Sequence, residues 1–169
     1  MKIGIVGASG YSGGELIRIL SSHPKFEIEY IAASSQAGEP ITSVHPHLVS
    51  FSDHFFEETT IARMSECELL FFALPHGASS DYISQLPAGI KVIDLGADFR
   101  LESAEQWQKY YGGTYSGSAT YAMPELPGMR ARIAQSNIVA NPGCYATAIT
   151  LGAVPALSHS LIDSQNIVV

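Results

Sequence analysis

One cysteine in the last third of the chain lies where a thiol can do chemistry. Cys144 stands in the segment NPGCYAT, residues 141–147. Pro142 and Gly143 end the apolar strand predicted at 137–140, and the run 145–157, rich in Ala, Ile, Thr and Leu, predicts a helix. Cys144 therefore falls at or near a helix N-terminus, where unpaired backbone N–H groups stabilise a thiolate, the nucleophilic form of cysteine.

The alternative is that Cys144 is a small buried apolar residue, as a lone cysteine in an apolar neighbourhood often is. The other cysteine, Cys67, has a glutamate on each side, which disfavours a thiolate, and we interpret it as structural. With two cysteines and no Cys-x-x-Cys pair, a disulfide scaffold and a structural zinc site are not expected. His45 and His47 flank Pro46 without a third ligand in view, so no metal site is predicted there.

Composition bounds the class of protein. The 169 residues carry a formal net charge of −7, with 46% hydrophobic and 15% charged residues, which is typical of a globular chain with one substantial core. Nucleic acid and acidic membranes are unsuitable partners for this charge. No apolar run approaches the ~20 residues that span a bilayer, and no signal peptide is recognisable. These features predict a soluble, cytoplasmic protein.

The elements that would position the cysteine alternate between strand and helix. Apolar strands are predicted at 2–6, 27–33, 68–74 and 91–95, helices at 14–22 and 79–85, and a long ordered loop at 112–128. Near-continuous apolar strands separated by helices indicate a parallel sheet covered on both faces. The fold class predicted is α/β, a Rossmann-type doubly wound parallel sheet.

A glycine-rich segment joins the first strand to the first helix, which is the setting of a dinucleotide fingerprint. Its spacing, G-x-x-G-x-x-G over residues 7–13, is a variant of the usual pattern. The glycines let the backbone approach a pyrophosphate, and the helix N-terminus supplies N–H groups to it. The residues predicted to bind the cofactor here are Gly7, Ser9, Gly10, Tyr11, Ser12 and Gly13.

Two further segments bear on the cofactor. The second strand ends in Ser34, Ser35 and Gln36, with no carboxylate before Glu39 to hold a ribose 2′-hydroxyl, which favours NADP. Pro75 and His76 follow the third strand, at the edge where ligands gather in such sheets, and are predicted to contact the cofactor. Turn geometry alone explains the 75–77 segment equally well.

Residues 10–14 also match the G-x-S-x-G nucleophile elbow of esterases, with Ser12 as the nucleophile. That elbow normally lies deep in a larger sheet, downstream of an oxyanion loop, whereas only one strand precedes Gly10. The hydrolase interpretation is therefore not favoured.

Six motifs run over nearly the whole chain: GASGYSGGEL at 7–16, HPHL at 45–48, LPHG at 74–77, DLGADFRL at 94–101, YAMPEL at 121–126 and NPGCYAT at 141–147. Through them the chain resembles the N-acetyl-gamma-glutamyl-phosphate reductases of arginine biosynthesis. It departs from the family pattern at Gln36, where many relatives carry a basic or small residue, and at Gly96, where Ser is common.

The resemblance implies an NADPH-dependent reduction of an acyl phosphate in two steps. The Cys144 thiolate attacks the acyl carbon of N-acetyl-glutamyl 5-phosphate and expels phosphate, and hydride from NADPH reduces the resulting thioester to N-acetyl-glutamate 5-semialdehyde. Covalent catalysis of this kind splits one difficult step into two. The resemblance also implies a homo-oligomer for the full-length family member.

Three residues are candidates for binding the substrate: Arg100, Glu125 and Asn141. The planar fork of Arg100 suits a phosphate, although an ion pair with Asp98 or Glu102 would explain this residue as well. Glu125 lies in the 112–128 loop, and Asn141 lies three residues before Cys144.

Family members take a catalytic histidine from a second domain. The only histidine after Cys144 is His159, fifteen residues on, which is roughly 22 Å away along a helix. Residues 166–169 have the composition of a strand that has just begun. We therefore expect an NADP-binding domain at 1–143 and the first helix and strand of a truncated second α/β domain at 144–169, with little or no turnover by this form.

Two alternatives stay open at this point. One is a sister reductase acting on aspartyl phosphate or on a carrier-linked aminoadipyl phosphate. The other is a non-catalytic NADP-binding module, in which Cys144 would be idle.

Overall fold

In residues 1–168, which the computed structural model describes, six parallel strands form one sheet. They are β1 (Lys2–Val6), β2 (Glu27–Ala32), β3 (Leu69–Phe72), β4 (Lys91–Asp94), β5 (Thr120–Tyr121) and β6 (Ile138–Ala140). Their order across the sheet is β2-β1-β3-β4-β6-β5. The chain runs outward from β1 to β2 and then returns to lay β3 on the other side of β1. The sheet therefore has a topological switch point between β1 and β3, where ligands of such folds bind.

The same described part of the chain contains seven α-helices, six in the connections between strands and one after the last strand. They are α1 (Tyr11–Leu20), α2 (Ile41–Val44), α3 (Ile61–Met64), α4 (Ser79–Ile83), α5 (Ala104–Tyr110), α6 (Met129–Gln135) and α7 (Cys144–Ser158). Short 3-10 helices occur at Ser34–Gln36, Val49–Phe51 and Ser164–Asn166. None of the helices described is long and apolar enough to cross a bilayer.

Alternate residues of the central strands enter two separate apolar clusters. Ile3 and Ile5 of β1 pack in one cluster with Ile17 of α1, whereas Val6 packs in the other with Met64 of α3. All four residues of β3 are buried. Because successive side chains of a strand point to opposite faces, both faces of the sheet must be covered. The predicted doubly wound parallel sheet is confirmed.

Before residue 144, three differences from the predictions exceed two residues at an element's end. Helix α1 begins at Tyr11 and not at residue 14. Gly13 and Gly14 lie inside this helix and pack closely against neighbouring segments. The loop predicted at 112–128 contains the two-residue strand β5, which pairs with β6 at the sheet edge. The short helices α2, α3, α5 and α6 were not predicted, because each has too few residues to show a helical period.

The last helix is apolar, and none of its residues is buried. It begins at Cys144, as the predicted helix start required, and its cap, His159, directly follows the last helical residue, Ser158. The strand predicted from residue 166 is not formed by the described residues, since 166 ends a 3-10 helix and 167–168 pair with no strand. Val169 lies outside the described residues.

Candidate active site

The turn after β1 is held in shape by the protein's own backbone. Gly7 has a φ of +83°, and a Cβ placed on it would lie 2.4 Å from the carbonyl oxygen of Ala73, which follows β3. A Cβ on Gly13 would lie 2.5 Å from the Cα of Ala8. Both positions require glycine for steric reasons, since Cβ atoms do not approach backbone atoms so closely. A Cβ on Gly10 would meet only the Gly7 carbonyl oxygen, at an ordinary 3.5 Å.

This turn presents free hydrogen-bond donors at the start of α1. Within residues 1–168, the backbone N–H groups of Ser9, Tyr11 and Ser12 donate to no protein acceptor. Gly10 caps α1 without a side-chain hydrogen bond, and the first turn holds no acidic residue that would compete for an anion. A ten-residue helix that begins in this way favours a negatively charged group at its N-terminus. The residues present therefore fit the pyrophosphate of a dinucleotide.

Ser34 and Ser35 lie next to this turn, because β2 is the neighbour of β1. Both are exposed and form a 3-10 helix with Gln36. The Ser34 hydroxyl donates to Oγ1 of Thr59 at 3.0 Å, so it can offer a ligand only its acceptor lone pairs. Ser35 is the more suitable donor for a 2′-phosphate.

A buried carboxylate fixes the turn that carries Pro75 and His76. Asp98 is 1% exposed and accepts backbone N–H bonds from Gly77 at 2.6 Å and from Ser79 and Ser80 at 3.1 Å. It thereby caps α4, whose own N-cap residue is an alanine. His76 is exposed and meets the ring of Tyr111 edge-on, with 5.5 Å between ring centroids.

An open cleft of about 1150 Å³ lies over the carboxyl ends of β4, β6 and β5. It brings together six residues that the sequence singled out: Ser12, His76, Arg100, Glu125, Asn141 and Cys144. The other cofactor candidates do not line it: Gly7, Ser9, Gly10, Tyr11, Gly13, Ser34, Ser35 and Pro75. Ser12 and His76 thus mark the side of the cleft that faces the glycine turn.

Cys144 is exposed in this cleft as the first residue of α7. The alternative of a small buried residue is therefore wrong for Cys144. Cys67, by contrast, is buried, and burial together with nearby glutamates outweighs the effect of Arg63 and raises the pKa of its thiol to about 11. At neutral pH the Cys67 thiol is protonated and shielded, whereas Cys144 is exposed to the cleft.

Arg100 uses two of its donors on the protein backbone. Nε donates to the carbonyl of Asn141 at 2.8 Å, and Nη2 donates to the carbonyl of Leu95 at 2.7 Å. The ion pair with Asp98 or Glu102 considered from the sequence is not present in the described part of the chain. Nη1 of Arg100 would lie 3.1 Å from a Cβ on Gly143, next to Cys144. That nitrogen can offer hydrogen bonds to an anion in the cleft.

Two buried carboxyls beside the site were not identified from the sequence as functional. Asp98 is described above, and Asp94, at the end of β4, is fully buried. Burial raises the pKa of the Asp94 carboxyl, although its Oδ1 accepts the N–H of Gly96 at 2.9 Å. Both lie in the DLGADFRL motif, but a motif does not tell which of its carboxyls face the interior.

The histidines and the esterase-like serine can now be placed. His45 is buried and lies against the glycine turn, whereas His47 is exposed. His159 lies just after the end of α7, with Nδ1 2.9 Å from the carbonyl of Pro155. Ser12 is the second residue of α1, and within residues 1–168 its hydroxyl makes no hydrogen bond to a histidine or carboxylate. A serine nucleophile is not built here.

Comparison with known proteins finds curated relatives that match this chain over nearly its whole length. The chain is 48% identical over 168 residues to the N-acetyl-gamma-glutamyl-phosphate reductase of Acidothermus cellulolyticus, covering 99% of this chain and 49% of that protein. It is 46% identical to the corresponding protein of Salinispora arenicola over 169 residues, or 50% of that protein. The chain thus spans about half the length of these curated relatives.

Solved structures show the same fold. Aspartate semialdehyde dehydrogenase with NADP from Candida albicans matches with a TM-score of 0.63 at 19% identity, over 93% of this chain and 46% of that one. The Francisella tularensis enzyme matches with a TM-score of 0.62 at 13% identity, over 95% of this chain and 41% of that one. The family model for the semialdehyde dehydrogenase NAD-binding domain matches residues 2–136. The glycine turn, the parallel sheet and this match agree, and the chain belongs to the semialdehyde dehydrogenase NAD-binding domain family.

Proposed function

We propose that this chain is the cofactor-binding part, with the nucleophile, of an N-acetyl-gamma-glutamyl-phosphate reductase. The reaction is the NADPH-dependent reduction of N-acetyl-glutamyl 5-phosphate to N-acetyl-glutamate 5-semialdehyde. The observation that carries the proposal is the position of Cys144, exposed at the start of α7 in the cleft that Ser12 and His76 also line. The identity to the reductases of Acidothermus cellulolyticus and Salinispora arenicola supports the choice of substrate.

In the first step the Cys144 thiolate attacks the acyl carbon, so that a C–S bond forms as the C–O bond to phosphate breaks. Phosphate leaves with the bonding electrons, and the acyl group remains on sulfur as a thioester. Nη1 of Arg100, held beside Gly143, is suited to the leaving phosphate. Asn141 and Glu125 line the same cleft and would contact the rest of the substrate.

Bound NADPH would supply the hydride that converts the thioester to the aldehyde and returns the thiolate. The protein would hold its pyrophosphate with the free N–H groups of Ser9, Tyr11 and Ser12, against Gly7, Gly10 and Gly13. Ser35 would donate to the 2′-phosphate, and Ser34, which is bonded to Thr59, would lie beside it. Pro75 and His76 would contact the cofactor where it approaches the cleft.

A fluorescence titration of this chain with NADPH and, in parallel, with NADH tests the cofactor. We expect saturable binding of both, with NADPH clearly tighter. Ser35→Ala should narrow the gap between the two ligands, while the matched substitution Ser50→Ala, at an exposed serine far along the chain, should leave it unchanged. Absence of NADPH binding by a folded sample would refute the dinucleotide site.

Trapping of the thioester tests the nucleophile and the substrate. The chain is mixed with N-acetyl-glutamyl 5-phosphate, generated in place by a kinase, and the intact mass is measured. We expect one acyl adduct on Cys144, absent from Cys144→Ser and retained by Cys67→Ser. A parallel reaction with aspartyl phosphate should give less adduct, and the opposite preference would assign the chain to a sister reductase.

We propose further that residues 1–143 are the NADP-binding domain and that residues 144–169 begin a second domain. The support is that α7 is apolar without a buried residue and that the curated relatives are about twice as long. The whole protein would be a homo-oligomer in the cytoplasm. The two unpaired thiols agree with the reducing conditions of that compartment. Light scattering of the longer protein measures the oligomeric state, and a monomer would contradict this part.

A further inference from the structure

His45 lies beneath the glycine turn, on the side away from solvent. It follows α2, is 7% exposed, and places Nε2 2.9 Å from the carbonyl oxygen of Ala8. A carbonyl oxygen can only accept, so Nε2 carries the proton of this hydrogen bond. The sequence separation of 37 residues makes it a tertiary contact between the HPHL segment and the turn.

The imidazole also fills the space that Gly14 leaves open. A Cβ on Gly14 would lie 2.6 Å from Cε1 and 2.7 Å from Nδ1 of His45. The ring meets Phe56 edge-on, with 6.1 Å between ring centroids. The side chain is therefore held between α1 and the core, with its ring against Gly14.

The hydrogen bond fixes the orientation of the Ala8–Ser9 peptide. The N–H of Ala8 donates to the carbonyl of Ala32 at 2.8 Å, and the carbonyl of Ala8, which belongs to the Ala8–Ser9 peptide, accepts from His45. This peptide is trans, as are all those in residues 1–168, so the carbonyl of Ala8 and the N–H of Ser9 point in opposite directions. With the carbonyl directed inward to His45, the N–H of Ser9 is directed outward, and it is one of the donors with no protein acceptor.

We propose that His45 is a positioning residue for the dinucleotide turn. By donating to the Ala8 carbonyl, His45 holds the Ser9 N–H toward the pyrophosphate of the ligand. His45 itself does not touch the ligand. The inference rests on the proposed function, because the pyrophosphate is that of the bound dinucleotide. It adds a residue that lies outside the glycine motif.

Two substitutions separate the hydrogen bond from the volume of the side chain. His45→Gln keeps an N–H donor on a side chain of similar reach, and His45→Leu keeps comparable bulk without a donor. We expect His45→Leu to weaken NADPH binding about tenfold or more and His45→Gln to recover most of that loss. Equal affinity of His45→Leu and the wild-type chain would overturn the proposal, as would equal losses in both variants.

A ligand without a pyrophosphate serves as the internal control. Adenosine 2′-monophosphate carries the adenosine and the 2′-phosphate only, so its affinity should be the same in the wild-type chain and both variants. If His45→Leu weakens this ligand as much as NADPH, the side chain supports the whole domain and the proposal fails. If the wild-type chain binds neither ligand, it is the proposed function that fails.

A measurement on the wild-type chain does not depend on either variant folding. In ¹H–¹⁵N spectra, the Ser9 amide should be among those that shift most when NADPH is added, and it should shift little with adenosine 2′-monophosphate. A Ser9 amide that responds equally to both ligands, or to neither, would overturn the assigned role. Gly14→Ala should reproduce the His45→Leu defect, since its Cβ would displace the ring from Ala8.

Discussion

Arg100 donates from Nε to the backbone carbonyl of Asn141 at 2.8 Å, and so joins the segment after β4 to the loop that carries Cys144. Its second bond, to the carbonyl of Leu95, joins two residues within the segment that follows β4. The same residue therefore both shapes the cleft and offers its remaining nitrogen to it. A guanidinium can do both because its five donors point in fixed directions.

Arg100→Lys should lower the free energy of unfolding by about 1–3 kcal/mol, because an ammonium cannot reach both carbonyls and one is left without its donor. It should also change the rate at which iodoacetamide alkylates Cys144, since the loop before Cys144 loses an anchor. Urea denaturation and intact mass measure the two effects. Arg132→Lys, in exposed α6, is the matched control, and equal behaviour of the two variants would contradict the bridging role.

Asp98→Ala should lower the free energy of unfolding by about 2–4 kcal/mol, because three backbone N–H groups lose their acceptor and one of them, at Ser79, is buried. Asp98→Asn keeps one acceptor oxygen and should lose less. Urea denaturation measures the free energy of unfolding of each variant and so gives their order. Asp81→Ala, at an exposed carboxylate in the first turn of the same helix, should change stability by no more than about 0.5 kcal/mol. If both alanine variants lose equally little, the capping role is refuted.

Asp94 should make the chain less stable as pH rises. Burial raises the pKa of its carboxyl above the ordinary value of 3.8, so the folded state holds this proton more tightly than the unfolded state. That contribution is complete below pH 3.8 and is lost as pH rises through the pKa of the folded state. Asp94→Asn should remove this loss, so its stability relative to the wild-type chain should increase from pH 4 upward.

Urea denaturation from pH 4 to pH 8 measures the difference at Asp94. Asp53→Asn, at an exposed position, provides the control and should show no such trend. A constant difference between Asp94→Asn and the wild-type chain across this range would show that the carboxyl does not titrate above its ordinary pKa.

Gly10→Ala should fold normally yet bind NADPH at least about tenfold more weakly. Its φ of −76° and ψ of 167° suit any residue, and its Cβ would meet only one protein atom, at 3.5 Å, but would stand where the pyrophosphate approaches. Thermal denaturation and the NADPH titration give the two readouts. Gly13→Ala, with its 2.5 Å contact, should instead unfold more easily. Unchanged NADPH binding by Gly10→Ala would place the ligand elsewhere.

The features predicted well from the sequence are those that depend only on residues next to one another in the chain. The apolar run of β3 and the break at Pro142 and Gly143 each specify their element locally, so the parallel sheet and the start of α7 followed from them. Strand β5 was missed because two residues show no period, and it forms only because β6 lies beside it.

The partners of the site residues could not be predicted in the same way. Arg100 bonds two carbonyl oxygens, and every residue carries such an acceptor, so nothing in the sequence marks Leu95 and Asn141. His45 contacts Ala8 across 37 residues, and composition near either residue gives no sign of the other. Contacts between distant segments are set by the tertiary fold, which local patterns do not encode.

Two of the four glycines around the turn are required by the protein's own backbone. Gly7 meets Ala73 and Gly13 meets Ala8, whereas Gly14 meets only the ring of His45 and Gly10 has no such neighbour. A descendant of this protein that had lost its ligand would still be selected to keep Gly7 and Gly13 for folding, and Gly10 would be the most free to change. Among diverged copies of this domain, the residue at position 10 is therefore the one that records whether a dinucleotide is still bound.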